Sequence, residues 1–157
     1  MAYRTLPIDA PDNAIKDLVV EWNELLAQKR YAEALSMFPQ CCHELTWTPE
    51  NLGNIISGYG VLDNDDETLE HTLKHHNVSR FEITTLINRP DYKQIYDDCI
   101  DVNRNSLYGL NPEHYLGMVH FEDVPLSGFR SDLTARFHIK KIGLKELTLE
   151  FVDIHVM

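Results

Sequence analysis

The chain has 157 residues, 43% of them hydrophobic and 25% charged, which is enough for one domain with its own core and no disulfide or metal staple. Its formal net charge of −11 excludes the basic footprint that nucleic-acid phosphates demand, and argues equally against an anionic membrane surface. No apolar run approaches the roughly 20 residues that a bilayer core requires. The N-terminal residues lack the apolar centre of a secretory signal, so a cytoplasmic location is expected.

In chain order, residues 1–10 read as an N-terminal arm. A first helix is expected over 12–29, capped by Asp9 or Asp12, with Pro11 in its first turn. Ile15, Leu18, Val19, Trp22, Leu25 and Leu26 recur on one face at helical spacing. A second helix runs from Tyr31 to about Phe38 and stops at Pro39. The third has Thr48 as N-cap, Pro49 at the first helical position, an apolar stripe of Leu52, Ile55, Ile56 and Tyr59, and Gly60 placed as a left-handed C-cap. An acidic loop then leads to a short helix over 66–76.

Alternation of Phe81, Ile83, Thr85 and Ile87 predicts a strand over Arg80–Ile87. Tyr92–Val102 is ambiguous, since Tyr92, Ile95, Tyr96 and Cys99 fit a helix while Cys99–Asn103 could extend as a strand, and Asn103–Glu113 reads as loop. Antiparallel strands follow: Tyr115–Glu122, Ser131–Lys140 and Glu146–Val156, with turns at Pro125–Gly128 and at Gly143. In the last strand Leu147, Leu149 and Phe151 share one parity while Val152, Ile154 and Val156 take the other. A period of two cannot change phase unaided. Either a β-bulge near Phe151-Val152 or cover on both faces is expected. The sum is a single α+β domain over 1–157, with helices packed on one face of a curved antiparallel sheet.

Asp123, Pro125-Leu126, Gly128, Ser131-Asp132-Leu133-Thr134, Phe137 and the closing Asp153-Ile154-His155-Val156 resemble a family of uncharacterised bacterial proteins, and Trp47-Thr48-Pro49-Glu50 with Tyr59-Gly60 adds to the resemblance. That family supplies no catalytic residues. The order of elements is also similar to the nuclear-transport-factor-2-like (cystatin-like) cone, and small acidic proteins of this look include immunity proteins, which bind and block a toxin. A fold does not by itself imply a function.

Motifs with a chemistry of their own are scarce. The cysteines are Cys41, Cys42 and Cys99, an odd count that makes a poor disulfide framework. Cys-Cys-His at 41–43 has no second ligand pair at finger-like spacing. His71, His75 and His76 sit on one helix, but Thr72 occupies the position where a zinc protease needs Glu. Asp63, Asp65 and Glu67 lack the turn glycine of a calcium loop. No metal or cofactor is expected.

His120, Arg136, His138, Asp153 and His155 are brought together if the C-terminal strands are neighbours. Asp153 with His155 and with Tyr108 or Tyr115 could supply an acid or base. The competing account pairs Asp153 with Arg136 across the strands. Phe129-Arg130, held out by a rigid turn, is a candidate contact anchor.

The charge distribution carries the functional expectation. From Tyr31 to Leu73 there is no Lys or Arg, while Glu50, Asp63, Asp65, Asp66, Glu67 and Glu70 fall there. Such a field steers a cationic partner. A non-enzymatic module that binds a basic protein such as a toxin, immunity-like, is therefore expected. The alternative is a small-molecule or enzymatic pocket between helices and sheet, which a core closed by Trp22, Phe38, Phe137 and Phe151 would exclude. A homodimer through the outer face of the sheet is a third reading, hinted at by Val152.

Overall fold

The computed structural model describes residues 3–41, 45–105, 107 and 109–156. The elements run β1 (Leu6–Pro7), α1 (Asp12–Ala27), α2 (Tyr31–Met37), α3 (Pro49–Ser57), α4 (Asp66–His75), α5 (Tyr92–Asp98), β2 (Ile100–Asn103), β3 (Tyr115–Phe121), β4 (Pro125–Leu126), β5 (Phe129–Arg130), β6 (Leu133–Ile142) and β7 (Glu146–Val156). The fold is α+β, with helices against a curled antiparallel sheet of order β1-β7-β6-β3-β2. The arm expected over 1–10 is partly an edge strand, with Leu6 opposite Leu147.

α1 buries Ile15, Leu18, Val19, Trp22 and Leu26 against that sheet. Trp22 meets Phe137 edge-on at 5.1 Å and Phe151 at 5.4 Å, and Phe38 meets Phe137 at 5.8 Å. All four rings are essentially inaccessible. They fill the space between helices and sheet, where the alternative reading needed a pocket. Aromatic pairs of this kind add about 0.5–1.5 kcal/mol each beyond the area they bury.

Helix ends depart from expectation in two places. Pro11 itself occupies the N-cap of α1, in an extended conformation and with no side-chain cap, so neither Asp9 nor Asp12 caps it. In α3, Thr48 caps through its hydroxyl as expected, 3.1 Å from the Asn51 N–H. At the other end Gly60 N–H donates to Ile55 O and Tyr59 N–H to Ile56 O, the paired bonds of a Schellman stop. The first left-handed residue is therefore Tyr59, at φ 55°, ahead of Gly60 at φ 84°. Tyr59 accepts that backbone because its ring is used: it packs on Phe81 and His76.

The strand expected over Arg80–Ile87 does not form. Phe81, Ile83 and Leu86 are buried, a spacing that breaks the alternation, and Ile87 is 54% exposed. The segment is tied down by side chains and by the β4–β5 hairpin. Glu24 accepts the Leu86 N–H, Ser127 Oγ accepts the Glu82 N–H, and Ile83 makes a lone bridge to Leu126. The stretch that read two ways, Tyr92–Val102, is both: α5 passes directly into β2.

The phase change in the last strand is a bulge. Phe137 pairs with Phe151 and Arg136 with Asp153, which leaves Val152 as the extra residue. That role accounts for the Val152 signal in the sequence. The bulge lets Leu147, Leu149 and Phe151 before it and Ile154 after it all enter the same core.

Candidate functional site

The bulge also sorts the polar side chains of β7. Before it, Glu150 stands opposite His138; after it, Asp153 stands opposite Arg136 and His155 opposite Thr134. All of these share the face of the sheet away from the Trp22 core. β3 carries a second irregularity: Tyr115 pairs with Lys140 and Gly117 with Ile139, so Leu116 is skipped. Tyr115 and Gly117 have equal parity in sequence, yet this bulge turns Tyr115 to the face of His138 and Glu150.

Two polar groups result. In the deeper one the Glu150 carboxylate, 3% exposed, lies 3.0 Å from His138 Nδ1, 3.1 Å from Lys140 Nζ and 3.1 Å from the Tyr115 hydroxyl. An ionised carboxylate only accepts, so His138 Nδ1 is the donor in this pair. Burial pushes the Glu150 carboxyl up, but the bonds from His138, Lys140 and Tyr115 together hold it below the usual carboxylate range. Glu150 is thus a buried anion that three donors keep ionised.

In the shallower group Arg136 forks onto Asp153 at 2.9 and 2.7 Å, and His155 Nδ1 lies 3.1 Å from the same carboxylate. Burial opposes ionisation of Asp153, and Arg136 with His155 overcomes it, leaving the carboxyl below its ordinary value. This is the cross-strand ion pair. An Asp153 held so firmly as an anion is a poor general acid, and Tyr115, its proposed companion, bonds Glu150 instead. Tyr108 lies outside the described residues, as do Cys42, His43 and Glu44.

Beside this group, a groove of about 440 Å³ is lined by Cys41, Trp47, Ile55, Arg136, Asp153 and His155. It sits at the edge of β7, where residues 39–41 replace a neighbouring strand. The Phe151 N–H donates to Pro39 O and the Phe151 carbonyl accepts from the Cys41 N–H, both at 2.9 Å.

The expected acidic surface is exposed. Glu50 lies in the first turn of α3 and Asp63 in the loop after it, while Asp66 and Glu67 occupy the first turn of α4. Asp65 caps α4, its carboxylate accepting from Thr68 N–H and Oγ1. Glu70 pairs with Lys74 at 3.6 Å. Among the described residues, no cation lies within ion-pair distance of Glu50, Asp63, Asp66 or Glu67. The structure adds Asp132, hydrogen-bonded to the Tyr59 hydroxyl at the end of α3.

Phe129-Arg130 is not the projecting anchor that the sequence suggested. The Phe129 ring stacks on His76 at 4.7 Å and 8°, and Arg130 reaches Asp123 at 3.0 Å. The β4–β5 turn holds them, with Ser127 at φ 51° and Gly128 at φ 86°, but it folds the pair back onto the body of the protein. His76, at the C-cap of α4, is the other half of that stack.

Sequence reasoning missed Glu150 and Lys140. The signal was present in the phase change, since only a bulge puts Glu150 and Asp153 on one face. Compared with known proteins, the chain matches no family model, no curated protein and no solved structure.

Proposed function

We propose that this chain is a non-enzymatic protein-binding module, of the immunity-protein kind, whose acidic α3–α4 surface recognises a basic partner such as a toxin. One observation carries the reading: Glu50, Asp63, Asp66 and Glu67 are exposed in a stretch with no Lys or Arg, and none has a cationic neighbour among the described residues. Carboxylates left uncompensated on one stretch of surface keep their field for an incoming molecule. The filled core supports the same reading, because no ligand fits between Trp22 and Phe137.

The test is kinetic. A basic protein captured from the native host on the immobilised chain should associate rapidly at low salt. Its on-rate should fall steeply as the screening length shrinks from about 30 Å at 0.01 M salt to about 8 Å at 0.15 M. An on-rate that ignores salt would end the proposal.

A further inference from the structure

The buried pair of Glu150 and His138 is more than an acidic-surface protein needs, and it stands next to a thiol. The sulfur of Cys41, a ring nitrogen of His138 and a carboxylate oxygen of Glu150 all lie within 4.8 Å of one another. Cys41 is half-buried and lines the groove at the edge of β7. Arg136 lines the same groove as Cys41. A carboxylate, an imidazole and a thiol this close together supply a base and a nucleophile within one small cluster.

We propose that Cys41 is a reactive thiol, activated by the imidazole that Glu150 orients, and that hydroperoxides oxidise it to a sulfenic acid. The His138 imidazole takes the Sγ proton. The sulfur then attacks the distal peroxide oxygen, so an S–O bond forms as the O–O bond breaks. The departing alkoxide recovers the proton from His138 and leaves as an alcohol. Sulfur gives up the two electrons that the peroxide gains, and each molecule of protein reacts once.

Rival chemistries fit the same atoms less well. Glu150 already accepts from His138, Lys140 and Tyr115, which leaves little of its carboxylate for a metal. Acyl transfer needs donors for a developing oxyanion. Here Arg136 is committed to Asp153, and Trp47 Nε1 donates to Val152 O at 3.0 Å. Attack on a peroxide needs only the returned proton, and Trp47 and Ile55 give an organic hydroperoxide an apolar wall.

Cys99 is an internal reference. It is 4% exposed, and burial pushes its thiol up despite Arg130 at 3.1 Å. The experiment treats the reduced full chain, in a Cys42→Ser background so that the adjacent thiol cannot confuse the mass, with limiting cumene hydroperoxide and traps the product with dimedone. Peptide mass spectrometry should show Cys41 labelled about tenfold faster than Cys99. His138→Gln and His138→Asn, each checked for native circular dichroism, should slow Cys41 about tenfold. Glu150→Gln, a change at a positioning residue, should displace the pH profile of Cys41 alkylation. Equal labelling of Cys41 and Cys99, or unchanged rates in both His138 variants, would overturn the proposal. So would one equivalent of zinc bound to the parent and lost in both His138→Gln and Cys41→Ser, which would make this a metal site.

Discussion

His138 and Glu150 face each other across β6 and β7 with ring nitrogen and carboxylate 3.0 Å apart, and Asp153 joins them on that face only because Val152 is left out of the ladder. Remove that extra residue and one half of β7 must rotate by one position. Either Glu150 is driven toward the Trp22 core, or Asp153 and His155 are. Deleting Val152 should therefore abolish cooperative unfolding in urea. Val152→Ala keeps the residue count and trims a half-buried side chain, so it should cost no more than about 1 kcal/mol. A deletion variant as stable as the parent would show that the register is not what sorts these side chains.

Acid should act on the buried anion first. The Glu150 carboxyl is held below its ordinary value in the folded chain, so it contributes stability that is fully present above its unfolded value of about 4.3. That contribution is lost as pH falls from there through the lowered folded value. Asp153 works in the same direction. Glu150→Gln cannot titrate, so its unfolding free energy should fall less steeply below about pH 4.5 than the parent's. At neutral pH the same variant weakens the bonds from His138, Lys140 and Tyr115 and should cost about 1.5–3 kcal/mol. Urea midpoints measured across the acid range would check both. Parallel curves for the two proteins would mean that Glu150 does not carry the acid sensitivity.

Much of this arrangement could be read from the sequence, and the limit has a physical cause. Local signals held: Thr48-Pro49 opened a helix, the stripe from Ile15 to Leu26 found the core, and β7 spans the residues its alternation suggested. The parity conflict announced the bulge. What failed needed partners distant in sequence. Arg80–Ile87 has the alternation of a strand, but Glu24 and Ser127 take its backbone groups before any ladder can. Phe129 looked like an anchor because nothing nearby in sequence shows that His76 stacks on it. Glu150 was passed over because the sequence does not show that the Val152 bulge brings Asp153 onto its face.

The acidic residues of α4 have a second employer, and the two roles separate by mutation. Asp66 and Glu67 lie in the first turn, where the helix dipole favours anions by about 0.3–1 kcal/mol each. Asp66→Gln with Glu67→Gln should lower stability by about 1 kcal/mol. Asp63→Lys, in the exposed loop before the helix, should leave stability within about 0.5 kcal/mol. Both variants should slow association with the basic partner, with the charge reversal slowing it more. Thermal melts read beside stopped-flow association would check this. If only the destabilised variant binds more slowly, the effect is on folding and not on the field.

Gly117 sets the position of Tyr115 in the same way that Val152 sets that of Asp153. Its φ of 152° and the skipped Leu116 turn the Tyr115 hydroxyl onto the Glu150 carboxylate. No side chain can replace its hydrogen, because a Cβ there would stand 2.1 Å from Asn103 O and 2.8 Å from Arg104 Cα, both backbone atoms of the adjoining strand and its exit. Gly117→Ala must push β2 away or unwind the bulge, at a cost of about 2–4 kcal/mol. Tyr115→Phe removes one bond to a buried anion and should cost about 1.5–3 kcal/mol in the parent. If the bulge is what brings hydroxyl and carboxylate together, that cost should shrink once Gly117 is Ala. A double-mutant cycle in urea measures the difference. Strictly additive losses would mean that Tyr115 reaches Glu150 whatever the backbone at Gly117 does.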